Sequence, residues 1–310
     1  MTSTRVLVAG DANLDLVLRG DVVPRFGQAE QLLAAADLVL GSSAGICASG
    51  LARLGVDTAL CARIGSDLFG ERTRLLLEER GVDTSEVAAI AGPTGLSVIL
   101  SAADDRAILT LGGAMTALTA ADVDEAAHRA GATHVHVASF FLLPALADGL
   151  PAVLAGLRAR GVTTSLDTNW DPAERWVGVA ECLPHVDVLL PNAAEARALA
   201  GARGQATSDT ATAARVLAGE GPVVVVKDGA AGGLAARGDE VVSAAPPPVD
   251  VVDTTGAGDS FDAGFLRAWT AGLDLAECVR HAAAAGALST RAPGGTGAQP
   301  TLAELDAAVA

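Results

Sequence analysis

The chain has 310 residues, with 21 Lys plus Arg against 37 Asp plus Glu, a formal charge of −16. A chain this acidic has no sequence-wide electrostatic footprint for nucleic acid or anionic lipid, so neither polymer nor membrane is expected as its main partner. Half of the residues are hydrophobic and only 3% aromatic, so a large core of Ala, Val and Leu is available.

Length and composition suit one α/β domain over residues 1–310. No apolar run is long enough to span a bilayer. The start, MTSTRVLVAGDANLDL, is broken by Asp11, Asn13 and Asp15 and does not read as a signal peptide. Cys47, Cys61, Cys182 and Cys278 are scattered without a CxxC, so free buried thiols in a reducing cytoplasm are expected.

In chain order, residues 5–9 (RVLVA) read as a short buried strand. Residues 14–19 and 32–40 read as two extended segments joined by a Pro/Gly loop. Small and apolar residues at helical spacing place a helix over 44–54, stopped at Gly55. A strand follows at 58–64, then an amphipathic helix at 69–80 closed by Gly81. Residues 96–102 and 107–111 form another extended pair, turned by 103–106 (ADDR). Short β-rich runs at 133–138, 162–167, 186–190 and 223–227 alternate with helical patterns at 145–160, 193–200 and 210–218. Ala-rich helices at 257–270 and 275–289 come near the end. Apolar strands between helices imply a doubly wound, mainly parallel sheet flanked by helices. The four strands at about 14–40 and 95–111, with no helix between the members of either pair, imply a small inserted β-sheet lid.

Residues 250–266, DVVDTTGAGDSFDAGFL, are the most informative stretch. A Gly/Ala loop opens a helix here, so a ligand can approach the backbone closely, and the first-turn N–H groups and helix dipole form an anion site. A carboxylate on that turn suits phosphoryl transfer: it takes the proton of an attacking hydroxyl while amides stabilise the moving charge. Gly256 and Gly258 begin a GxGxxG, but Phe261 stands in its third position and the segment lies far from the first βα unit. No GxxxxGK[ST] occurs, and Lys227, the chain's one lysine, follows a strand instead of a glycine loop.

These residues resemble the ribokinase-like (PfkB-type) carbohydrate kinases along nearly the whole chain. Residues 253–266 resemble that family's C-terminal motif. Gly10-Asp11-x-Asn13-x-Asp15 is similar to its sugar-contacting start, and Gly41-Ser42-Ser43-Ala44-Gly45 with Leu51-Ala52-Arg53-Leu54-Gly55 to its N-terminal motif. Gly65-Ser66-Asp67-x-x-Gly70, Pro191-Asn192-x-x-Glu195 and Lys227-Asp228-Gly229-Ala230-Ala231-Gly232 follow in the family's order. The resemblance implies Asp259 as catalytic base, with Gly256, Ala257, Gly258 and Asp259 lending amides to an anion hole. It implies acceptor contacts at Asp11, Asn13, Asp15, Gly41, Ser42, Ser43, Gly45 and Asp259. Nucleotide contacts fall at Asn192, Lys227, Gly229, Gly232, Gly256 and Gly258, and at His281, which reads more simply as a helix packing residue. Glu195 would organise Mg²⁺, and a K⁺ site would use Asp253 and Thr255.

The expected activity is ATP- and Mg²⁺-dependent phosphorylation of a sugar, sugar-like or nucleoside hydroxyl, and the resemblance implies a homodimer paired through the lid. Ser42 replaces the family's second glycine and Ile46 its usual sugar-binding Asn, so the acceptor is less defined than the reaction. Asp167, Asn169 and Trp170 read as polar groups of either half of the site. Two rivals remain: a non-catalytic sugar- or nucleotide-binding protein of kinase ancestry, and an NAD(P)-dependent oxidoreductase.

Overall fold

The computed structural model describes residues 4–102 and 106–310. A sheet of nine strands forms its centre, in the order β13-β12-β11-β10-β9-β8-β1-β4-β5. Its strands are β1 (Arg5–Ala9), β4 (Asp57–Gly65), β5 (Val87–Ile90), β8 (His134–Val137), β9 (Thr163–Leu166), β10 (Val188–Leu189), β11 (Val223–Lys227), β12 (Gly233–Arg237) and β13 (Glu240–Ala244). Pairing is parallel from β5 to β11, and the last two strands add an antiparallel edge. A separate four-stranded sheet has the order β3-β2-β6-β7, from β2 (Asn13–Gly20), β3 (Leu33–Leu40), β6 (Gly95–Ser101) and β7 (Arg106–Leu111). The turn expected at 103–106 lies, up to Arg106, outside the described residues.

Alternation along β1 explains the layering. Leu7 and Ala9 enter one core, Val6 and Val8 the other, and all four are fully buried. One core packs under α3 (Ala120–Ala130), α4 (Pro144–Ala159), α5 (Val179–Cys182), α6 (Ala193–Ala202) and α7 (Thr210–Ala218). The other packs under α1 (Ser43–Arg53), α8 (Ala257–Thr270), α9 (Leu275–Ser289) and α10 (Leu302–Val309), with α2 (Leu68–Glu79) beside α1. All four cysteines are free and buried. No described helix is long and apolar enough to cross a membrane.

Strands β4 and β5 extend the sheet on one side of β1, and β8 to β11 on the other. The order therefore reverses at β1/β8, and the carboxyl ends of strands flanking such a reversal open onto a crevice.

The 65–70 motif has a structural explanation. The Asp67 carboxylate caps α2 through Gly70 N at 2.8 Å and also takes Thr94 N at 2.9 Å, tying the helix to the strand that follows. A Cβ on Gly70 would lie 2.1 Å from Gly65 O, so only glycine fits.

Candidate active site

The crevice is a cleft of about 810 Å³, a size typical of small-molecule sites. The last residue of β11, Lys227, and the segments after β9, β10 and β11 supply Asp167, Asn169, Asn192, Glu195, Lys227, Gly229 and Gly232 between them. α8 supplies its first turn, Ala257 to Asp259, with Gly256 before it; Ser43 of α1 closes one end. The other end is an apolar slot of Pro246, Pro247, Val249, Val251, Ala283 and Ala287.

The opening of α8 is built to be bare. Gly256 takes a left-handed φ of 70°, and a Cβ there would lie 2.6 Å from Gly295 Cα. Glycine therefore lets two loops touch and turns the chain into the helix with no side-chain cap. By contrast α1, α2, α3, α6, α7, α9 and α10 each carry one. The Ala257 N–H donates to Thr254 O at 3.2 Å, so of the four expected anion-hole amides that one is engaged internally.

Asp259 stands half-buried on this turn. Burial beside the Asp167 charge pushes its carboxyl up to about 8, with Lys227 opposing. Lys227 itself is bound from behind, its Nζ 2.8 Å from Asp167 Oδ2 and 3.0 Å from Asp262 Oδ2. Burial alone would raise Asp167, but the adjoining ammonium outweighs it and holds the group below the ordinary carboxylate range. Burial disfavours the ammonium too, yet the charges of Asp167, Asp262 and Glu195 keep Lys227 firmly protonated.

Asn192 and Glu195 form a reciprocal cap of α6. Asn192 Oδ1 accepts from Ala194 N and Glu195 N, both at 2.9 Å, and Glu195 Oε2 accepts from Asn192 N at 2.8 Å. The cap also fixes both residues in the cleft wall, and burial beside Asp167 raises Glu195 to about 7.

Other expected site residues lie outside this lining. Asp11 turns its carboxylate onto the Ser43 and Ala44 amides, at 3.3 and 3.0 Å, and so anchors the start of α1. Asn13 donates to Asp15 Oδ1 at 3.2 Å. Asp15 is buried in β2 so close to Gly41 that a Cβ on Gly41 would lie 2.1 Å from its Oδ1. Ser42 holds φ 68°, where the family's glycine would be unstrained, and accepts from Gly45 N at 3.2 Å. A Cβ on Gly45 would lie 2.5 Å from that hydroxyl oxygen, so Ser42 and Gly45 build the turn before α1.

His281 is buried and its Nδ1 bonds the Glu277 carbonyl of its own helix at 2.8 Å, the packing role. Asp253 gives its two oxygens to Thr255 N and Gly294 N, both at 2.9 Å; burial would raise it, and these amides hold it low. It is thus drawn to the loop before residue 295. No cluster of three or more His, Cys, Asp or Glu suited to a metal occurs among the described residues. Mg²⁺ is commonly held by one or two carboxylates plus substrate phosphates, and three carboxyls line the cleft, Asp167, Glu195 and Asp259.

Two residues gain a place that the sequence left open or missed. Asn169, at φ 56°, donates to Ser43 Oγ at 2.6 Å and accepts from Ser139 N at 3.2 Å, bridging β9's exit to α1. Asp262, one turn along α8 from Asp259, is the missed partner of Lys227; its only sequence signal was the i,i+3 spacing.

Comparison with known proteins gives the family and the fold. The model of the pfkB family carbohydrate kinases matches residues 4–302. An "ATP-dependent ribose-1-phosphate kinase" of Halopiger xanaduensis is 32% identical over 92% of this chain and 91% of its own. An "Uncharacterized sugar kinase" of Archaeoglobus fulgidus is 34% identical over 74% of this chain and 90% of its own. The structure of a putative Ribokinase II from E. coli, in complex with ATP and Mg²⁺, superposes over 99% of both chains with a TM-score of 0.85 at 22% identity, a likeness of fold. The chain belongs to the PfkB family of carbohydrate kinases and is a phosphotransferase of that family.

Proposed function

We propose that the protein moves the γ-phosphoryl group of ATP to a hydroxyl of a sugar, sugar-like or nucleoside acceptor, with Asp259 as general base. The observation that carries this reading is Asp259 itself, on the uncapped first turn of α8, where the nucleotide half of the cleft meets Ser43. The apolar slot between 246–251 and α9 suits an adenine ring, and Gly229 and Gly232 give the phosphates room beside Lys227. Asp259 accepts the acceptor's proton, and the Gly256, Gly258 and Asp259 amides receive the transferring charge, joined by the Ala257 N–H once it leaves Thr254 O. Mg²⁺ held at Glu195 supplies charge neutralisation at the phosphates.

The acceptor lies on the Asp15 side. Asp15, Ser97 and Thr110 stand opposite one another across β2, β6 and β7, and Ser97 Oγ lies 3.1 Å from Thr110 Oγ1. Such a row supplies hydroxyl-binding groups, with Asn13 behind it and the 41–45 turn shaping its edge. The four-stranded sheet is then a lid that excludes water, an insert in one unit spanning 1–310. Leu33, Leu38, Ile108, Leu109 and Leu111 are exposed on it and suit pairing with a second lid. A K⁺ ion near Asp253 and Thr255 and a cytoplasmic setting complete the reading.

ADP release from purified protein with MgATP and a panel of D-ribose, D-fructose, adenosine and ribose 1-phosphate tests it. Turnover with at least one hydroxyl acceptor is expected. Binding without turnover of every acceptor would favour a non-catalytic binding protein.

A further inference from the structure

Lys227 is the only lysine of the chain, and its surroundings are unusual for a residue expected at a phosphate. Its side chain is 12% exposed, and the carboxylates it meets, Asp167 and Asp262, are 5% and 1% exposed. They come from different layers: Asp167 follows β9, whereas Asp262 is on α8, one turn behind Asp259. The lysine stem runs beside the transfer turn, since a Cβ on Gly258 would be 3.4 Å from Lys227 Cδ. Its backbone is tied to the next strand exit, with Lys227 N donating to Pro191 O at 3.0 Å.

Asp262 is the anomalous member. An alanine or leucine would fill this face of α8, which packs Phe261, Ala263, Phe265 and Leu266 into the core. Instead a carboxyl is sealed there, and its Oδ1 is buried with no partner. A buried, half-satisfied polar group costs stability unless it serves another purpose. Burial raises Asp262 well above the carboxylate range, whereas the ammonium holds Asp167 low, so of the two carboxyls on the lysine Asp262 is the one that keeps its proton more readily. One oxygen of each carboxyl meets the ammonium, and Asp262 Oδ1 is the polar atom of the set left without a partner.

We propose that Asp262 is a positioning residue for phosphoryl transfer: with Asp167 it closes a triad on Lys227 that locks the first turn of α8 to the carboxyl ends of the sheet. The lysine then supports the transfer turn from behind, and its charge acts on Asp259 through space, beside the charges of Asp11 and Asp167. The inference rests on the reading of Asp259 as base.

The test compares Asp262→Asn, Asp262→Leu, Lys227→Met and Asp259→Asn. One readout is MgATP-dependent ADP release with the acceptor that the wild type turns over. The other, which needs neither nucleotide nor acceptor, is carboxyl-carbon NMR titration of aspartate-labelled protein, with the Asp259 signal assigned from Asp259→Asn. An amide mimics the carboxylic acid, so Asp262→Asn should keep kcat near wild type. Asp262→Leu should lower kcat about ten- to hundredfold with the acceptor KM little changed, the effect of a misplaced catalytic turn. Lys227→Met should move the Asp259 titration to higher pH, because a nearby cation is lost. Wild-type kcat in Asp262→Leu, or an unmoved Asp259 titration in Lys227→Met, overturns the proposal. If Asp262→Leu does not fold, the Lys227→Met titration decides. Turnover retained by Asp259→Asn would instead mean that the base assignment has failed.

Discussion

Replacing Asp259 with Asn should stabilise the fold while removing the proposed base, and the gain should grow with pH. The folded protein raises this carboxyl from 3.8 to about 8, chiefly by burial beside Asp167. Between those values the unfolded chain has released the proton and the folded chain keeps it, so wild-type stability from this group is whole below 3.8 and lost as pH rises through about 8. At 1.36 kcal/mol per pH unit the full span is worth at most about 6 kcal/mol. Asp259 borders a wide cleft that admits water, so a realistic gain is about 2 kcal/mol above pH 8, falling below about 1 kcal/mol at pH 5. Glu195, Asp11 and Asp262, also raised by burial, titrate in both proteins; Asp262 is raised in part by the Asp259 charge, so its titration falls in the variant and adds to the gain at high pH. Urea denaturation of wild type and variant at pH 5, 7 and 9 reads it directly. A variant no more stable than wild type at pH 9, or a gap independent of pH, would refute the reasoning.

Three further substitutions follow from close approaches. Gly256→Ala places a methyl 2.6 Å from Gly295 Cα at a φ of 70°, and should cut kcat by at least about tenfold, with a lower melting temperature. Gly41→Ala puts a methyl 2.1 Å from Asp15 Oδ1, so steady-state kinetics should show a raised acceptor KM with the ATP KM nearly unchanged. Ile46→Asn would not recreate the family's sugar contact: Ile46 is 3% exposed, and its Cγ2 and Cδ1 pack against Gly256 and Gly295. Burying an amide there should cost about 2–4 kcal/mol in thermal or urea unfolding and leave the acceptor preference unchanged.

Much of the scaffold was legible because its signals are local. The strands at 5–9 and 223–227 and the helices at 210–218, 257–270 and 275–289 have the observed bounds, since each is an apolar run or an Ala-rich period ended by a polar or glycine residue. α3, despite its Thr119–Asp122 capping box, and β5, α10 and the β12–β13 edge carry weaker local signals and emerge only in the structure. That edge exists through pairing with β11, which local pattern does not record. β10 shrank to Val188 and Leu189, because only two of its residues find partners on both sides.

In the candidate site, motif order picked out the first turn of α8 and the strand exits that line the same cleft. It did not separate residues that bind from residues that brace. Asp11, Ser42, Gly45 and Asp253 satisfy backbone amides or make room for them, as any turn former does. Asp262 was invisible because its importance arises only when β9, β11 and α8 converge on one ammonium.

The most direct test of the central claim is ADP release by Asp259→Asn with MgATP and the preferred acceptor, alongside calorimetric ATP binding. Phosphorylation lowered by at least about a thousandfold with ATP affinity within about threefold of wild type is predicted, as for loss of a base and its local electrostatics. A variant that binds ATP normally and retains most of its phosphorylation rate would contradict it.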